Sequence, residues 1–172
     1  MNPTAKAFTL IELLITIAAL GTLLGIAVPS FSSLIERNQQ TTTTHDLLTS
    51  LNHARGLAIN RREPISLCAG GNSCEVSANW ENGILIFSDP NRNGEFDAGE
   101  RLHRVVTLPN RYRWNWSNFR SRTFMSFKAN GTTNSLNGTF TLCSGSEAIQ
   151  QLVINVTGRL RTRAPEDNSA CS

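Results

Sequence analysis

FTLIELLITIAALGTLLGIAV, residues 8–28, is a run of 21 residues in which Glu12 is the only charge. Wound as an α-helix at about 1.5 Å per residue, it reaches about 30 Å, the thickness of a bilayer's hydrocarbon core. It therefore reads as a membrane-spanning helix that carries one acid. A carboxylate at the centre of a membrane helix costs about 2.5–3.5 kcal/mol, so Glu12 either lies at the interface and snorkels or meets a specific partner. The seven residues before it, MNPTAKA, carry Lys6 and almost nothing apolar. An ordinary secretory signal runs charge, apolar stretch, small-residue cleavage site. Here the small residue, Ala7, comes before the apolar stretch.

That inverted order, with an acid at the fifth residue of the run, resembles the type IV prepilin signal. The resemblance implies a cut between Ala7 and Phe8 by a prepilin peptidase on the cytoplasmic side, with methylation of the new amino terminus at Phe8. It also implies that Glu12 pairs with the freed amine of a neighbouring subunit, so that a membrane segment becomes an assembly device. Ala7 is a departure, since Gly is usual before the cut. Lys6 on the inner side places everything after Val28 beyond the inner membrane, in the periplasm.

Working outward, Pro29 removes one backbone hydrogen bond and is expected to bend the helix where it leaves the membrane. Phe31, Leu34, Ile35, Leu48, Leu51, Ala54, Leu57 and Ala58 keep near-helical spacing to about Asn60, and Pro64 marks the stop. TTTTHD, residues 41–46, is a poor helix former, where fraying is expected. Arg55, Arg61 and Arg62 read as a solvated face. The chain thus divides into a leader (1–7), a transmembrane and assembly helix (8–28), its amphipathic continuation (29–62) and a β domain (63–172).

Beyond Pro64 short β-type runs alternate with Gly, Asn and Pro: ISLC (65–68), GILIF (83–87), LHRVV (102–106), YRWNW (112–116), TFMSF (123–127), TFTLC (139–143) and QLVINV (151–156). In YRWNW the alternation places Tyr112, Trp114 and Trp116 on one buried face. About 110 residues suffice for one modest core. Cys68, Cys74, Cys143 and Cys171 all fall on the periplasmic side, where disulfides persist. Three connectivities are open. Cys68 with Cys74 and Cys143 with Cys171 is favoured, because it closes one local loop and ties down the C-terminus. No zinc-ligand spacing involves these cysteines and His45, His53 or His103.

The order of features over most of the chain, LC with a following Cys, Trp80, GILIF, DPNRNGEFDAGE and VTGRLR, resembles the GspH/FimT family of minor pilins. It implies an α+β, type IV pilin-like fold: a long N-terminal helix packed on a C-terminal antiparallel β-sheet domain. In this family the end of the long helix, LNHARGLAINRRE, turns Leu51, Ala54 and Ala58 toward the sheet.

Charge is segregated. Residues 62–100 hold two Arg against seven acids, and residues 101–172 hold nine Arg and one Lys against three acids. The C-terminal half is a candidate polyanion surface. In an extended VTGRLRTR, Arg159, Arg161 and Arg163 share one side about 7 Å apart while Leu160 faces the core. GRLR is similar to the GRxR motif of DNA-binding family members, which transfers to Arg159 and Arg161; Arg163 follows from alternation. Lys128, Arg120 and Arg122 are candidates to extend the patch. The rival reading is an edge strand kept soluble, or paired with acids of a neighbouring pilin.

Asp89, Asn91, Asn93, Gly94, Asp97 and Glu100 satisfy the spacing of a calcium loop. Their flanks read as strands rather than helices, so the favoured reading is an Asx-rich turn with no cofactor, and calcium is the rival. No catalytic constellation is evident, and no enzyme is expected. The expected protein is a minor pilin at or near a pilus tip, in contact with other minor and major pilins, that binds DNA nonspecifically during natural transformation. The alternative is an H-type minor pseudopilin of a type II secretion system.

Overall fold

The computed structural model describes residues 9–133 and 136–171. They begin with one helix, α1 (Leu10–Arg61), that contains Pro29 without interruption. Thr9 caps it: Glu12 N–H is 3.3 Å from the Thr9 hydroxyl, while Thr9 N–H and hydroxyl donate to the Glu12 carboxylate at 3.0 and 2.9 Å. This is a capping box written T-x-x-E, which satisfies orphan donors at the helix start. The chain divides into two compact units at Thr41 and Thr42. In the first, Leu10, Ile11, Leu13, Leu14, Ile15 and their successors to Ile35 are exposed. This part of α1 is long and apolar enough to cross a membrane.

Among the described residues, the second unit contains the rest of α1 and nine strands. These are β1 (Ile65–Ala69), β2 (Asn79–Trp80), β3 (Ile84–Ser88), β4 (Leu102–Val106), β5 (Arg113–Asn118), β6 (Met125–Phe127), β7 (Gly138–Ser144), β8 (Glu147–Ile154) and β9 (Leu160–Arg163). A four-stranded sheet runs β4-β3-β1-β6 and a five-stranded sheet runs β2-β5-β7-β8-β9. Every pairing is antiparallel.

The helix does not fray at TTTTHD. Thr43 and Leu47 are buried there, and tertiary burial overrides weak propensity. The buried stripe is Leu47, Leu51, Ala54 and Ala58, spaced four, three and four residues apart, while Leu48 and Leu57 are only partly buried at its margin. The helix ends where Arg62 turns left-handed at φ 57°, just before Pro64.

The helical stripe shares one core with Ile65, Leu67, Ile84, Ile86 and Phe127 of the first sheet and Trp114, Trp116, Phe140, Leu152 and Ile154 of the second. Tyr112, Trp114 and Trp116 lie on the inner face, each at most 2% exposed. Phe140 anchors them: Trp116 stacks on it at 4.1 Å, and Trp80 meets it edge-on at 5.0 Å. Strands β1 and β3 are buried at every position. Their outer side packs Cys68, Leu85 and Phe87 against Phe124 and Phe96. A sheet covered on both faces explains why GILIF is continuously apolar instead of alternating.

Two disulfides, Cys68–Cys74 and Cys143–Cys171, close the loop after β1 and hold the C-terminal tail on β7. Arg113 reinforces the second by donating to the Cys171 carbonyl at 2.6 Å.

Candidate functional site

Among the described residues β9 pairs only with β8, which puts the arginine segment on the edge of the five-stranded sheet. The register sets Leu160 beside Ile154, Arg161 beside Val153, Thr162 beside Leu152 and Arg163 beside Gln151. Leu160 packs on the core, so Arg161 and Arg163 take the outer face by alternation. Arg159 precedes the strand instead of starting it. It closes a turn in which Gly158 N–H donates to the Asn155 carbonyl at 2.9 Å and Arg159 N–H to the Asn155 side chain at 2.9 Å.

The three arginines are not equivalent. Arg163 is engaged: its Nε donates to Gln151 at 2.8 Å and its Nη1 meets Glu166 at 2.7 Å. The expected row of three free cations is therefore a pair. Arg159 and Arg161 are exposed, and neither guanidinium has a protein partner among the described residues.

Beneath the pair sits a clamp. Arg55, expected to be solvated, instead donates through Nε to the Gly131 carbonyl at 2.9 Å and through Nη2 to the Thr157 carbonyl at 3.2 Å. The helix thereby grips two turns, Lys128–Gly131 and Asn155–Gly158. The chain just past the first turn is also bonded to the second, since Thr133 N–H donates to the Val156 carbonyl at 3.1 Å. Gly158, at φ 77°, is needed twice over: a Cβ there lies 2.5 Å from the Gly131 carbonyl oxygen. Lys128, half-buried, is thus in the turn that abuts the one presenting Arg159.

Arg120 and Arg122 follow the end of β5. Asn118 of β5, Gly138 of β7, Ile154 of β8 and Leu160 of β9 are successive register partners, so these two arginines and Arg159 occupy the same end of the sheet. Arg122 lies over the Phe124 ring at 5.2 Å.

The loop after β3 is organised by its own side chains. Asp89 is fully buried and turned inward, accepting from Ser66 at 2.5 Å and from Asn93 and Gly94 N–H at 3.1 Å. Asp97 accepts from the amides of Asn91 and Asn93 at 2.9 and 2.8 Å, which holds its carboxyl below the ordinary range. Glu100 accepts from Asp97 N–H at 3.1 Å. Partial burial, and then repulsion from Asp89 and Asp97, keeps its carboxyl above the ordinary range. Asp89 and Asp97 therefore point to different environments, and no group of three or more His, Cys, Asp or Glu suited to a metal occurs among the described residues.

Ser88 and His103, which nothing in the sequence pairs, touch at 2.8 Å. Ser88 also donates to Glu63 at 2.7 Å, so its hydroxyl stands between a carboxylate and the imidazole. Glu12 lies at the capped start of α1, and Ala7 and Phe8 fall outside the described residues.

Comparison with known proteins agrees with this architecture. Residues 43–158 match the family described as Type II transport protein GspH, and residues 2–28 match the prokaryotic N-terminal methylation motif. The pilin-like protein PilA1 of Thermus thermophilus is 33% identical over 99 residues, which are 58% of this chain and 58% of that protein. The chain thus spans less than two thirds of that relative's length. The crystal structure of the type IV minor pilin FimU of Pseudomonas aeruginosa (strain PAO1) superposes with a TM-score of 0.58 at 23% identity, covering 77% of this chain and 97% of that one. A second crystal form of FimU gives 0.55 at 21% identity, covering 74% and 98%. A methylation motif, a long helix with an apolar first half and a two-sheet β domain of matching fold make this chain a member of the GspH family of minor type IV pilins and pseudopilins.

Proposed function

We propose that the chain is a minor type IV pilin inserted at or near a pilus tip, where it supports assembly and binds DNA without sequence preference for uptake in natural transformation. Before assembly it is a single-pass inner-membrane protein with its β domain in the periplasm, cut after Ala7 and methylated at Phe8. Glu12 then serves twice, capping its own helix and accepting the amine of a neighbouring subunit. The observation that carries the DNA reading is the outward pair Arg159 and Arg161, unpartnered among the described residues on a sheet edge whose turn is held by Arg55. Guanidinium forks of this kind suit phosphate oxygens, which are the same in every sequence.

A mobility shift with the full chain in neutral detergent tests it. Wild type is expected to retard unrelated DNA fragments alike, and Arg159→Gln with Arg161→Gln to lose that retardation. Equal retardation by both proteins overturns the proposal. The family's type II transport description supports a second reading, an H-type pseudopilin of a secretion system, which predicts no DNA retardation and a gene among secretion genes.

A further inference from the structure

Phe119 is 88% exposed, and nothing in the assembly or arginine readings uses it. Its loop is tightly bonded. The Asn118 side chain donates to the Arg122 carbonyl at 2.7 Å and accepts from Arg120 and Arg122 N–H at 3.2 and 3.0 Å, and Ser121 is held left-handed at φ 50°. An Asn turn closed in this way fixes where its neighbours stand.

Strand alternation then sets direction. Trp114 and Trp116 of β5 point inward, so Asn115 and Ser117 face outward, and Phe119 stands in the turn one residue past the end of the strand, its ring exposed. Ser117, Thr139, Val153 and Arg161 form one cross-strand row on that face. One step further, Phe119 N–H donates to the Asn137 carbonyl at 3.4 Å and Asn155 N–H to the Arg159 carbonyl at 3.2 Å. Phe119 and Arg159 thus stand at opposite sides of the same sheet end, three strand spacings or about 14 Å apart. The segments that build this end, residues 117–122, 136–139 and 154–161, contain four arginines and no acid.

We infer that this end of the sheet takes single-stranded nucleic acid in preference to duplex, with the Phe119 ring as a stacking platform and Arg120, Arg159 and Arg161 on backbone phosphates. The inference rests on the DNA reading above and extends it to the form of the ligand. A single strand offers the flat face of a base and repeated anions together, whereas a duplex keeps its base faces stacked inside. A protein partner for this end needs acids to meet four arginines, plus an apolar socket for the ring; a nucleic-acid strand supplies both chemistries at every nucleotide.

The test is fluorescence anisotropy on the full chain in neutral detergent, with labelled oligothymidylate and a labelled duplex of equal length. Wild type is expected to bind the single strand more tightly. Phe119→Ala is expected to lose at least about fivefold of single-strand affinity and to leave duplex affinity unchanged, while Phe119→Trp retains both. Arg159→Gln with Arg161→Gln is expected to weaken both. If Phe119→Ala leaves the single strand unaffected, or weakens both forms equally, the stacking role is overturned while the arginine reading stands. If wild type binds neither form, both are overturned.

Discussion

Replacing Gly158 by Ala probes the junction that presents the arginine pair. The left-handed backbone at φ 77° costs a non-glycine residue about 1–2 kcal/mol. The new Cβ also lies 2.5 Å from the Gly131 carbonyl oxygen and 3.2 Å from Arg55 Nε. A backbone oxygen cannot rotate away, so relief requires the two turns to part, which breaks or stretches the Arg55 bonds at 2.9 and 3.2 Å. Hydrogen bonds to a charged group contribute about 1.5–3 kcal/mol, less where exposed as the second is. Together these give a loss of about 3–4 kcal/mol. Gly145→Ala is the control, because its φ is 59° and no atom lies within 4 Å of the added Cβ; its cost is about 1–2 kcal/mol. Urea unfolding followed by the fluorescence of Trp80, Trp114 and Trp116, all buried in the β domain, reads the difference. About 2 kcal/mol between the two variants is expected, roughly 5–10 °C in melting temperature. Equal destabilisation by the two substitutions refutes the locked junction.

Replacing Cys143 and Cys171 by Ser opens a separation of 28 residues and should cost about 3–4 kcal/mol, against about 2 kcal/mol for the pair separated by 6 residues; unfolding under non-reducing conditions ranks them, and the reverse order contradicts the loop-closure argument. The raised carboxyl of Glu100 binds its proton more readily folded than unfolded, so its contribution is complete below its ordinary value of 4.5 and is lost as pH rises through the folded value. Glu100→Gln should therefore unfold at higher temperature than wild type at pH 7 and match it at about pH 4. A melting-temperature series across that range decides, and an unchanged or lower value at pH 7 speaks against the repulsion.

Much of the fold is legible because local pattern and burial agree. The apolar run before Pro29 reads as a helix by length alone, and YRWNW announces its buried face by strict alternation. The T-x-x-E cap is equally visible in Thr9–Glu12, yet the acid's unusual place in a membrane helix draws attention from its ordinary one at a helix start. Other features depend on contacts distant in sequence. Arg55 looks like a solvated residue until folding brings carbonyls 76 and 102 residues away to its guanidinium. Arg163 is spaced as a third free cation, and only the pairing of β8 with β9 sets Gln151 beside it. The two-residue β2 has no periodicity to detect, and it forms because Trp80 fits against Phe140.

Salt dependence tests the central claim most directly. DNA affinity falls with salt by about 0.9 log units per log unit for each phosphate neutralised on a duplex. Titrations of a duplex against the full chain across a range of salt concentrations, for wild type and for Arg159→Gln with Arg161→Gln, give two slopes. The arginine pair predicts that the double variant's slope is shallower by about 1.8. Parallel slopes, with any affinity lost equally at every salt concentration, contradict it.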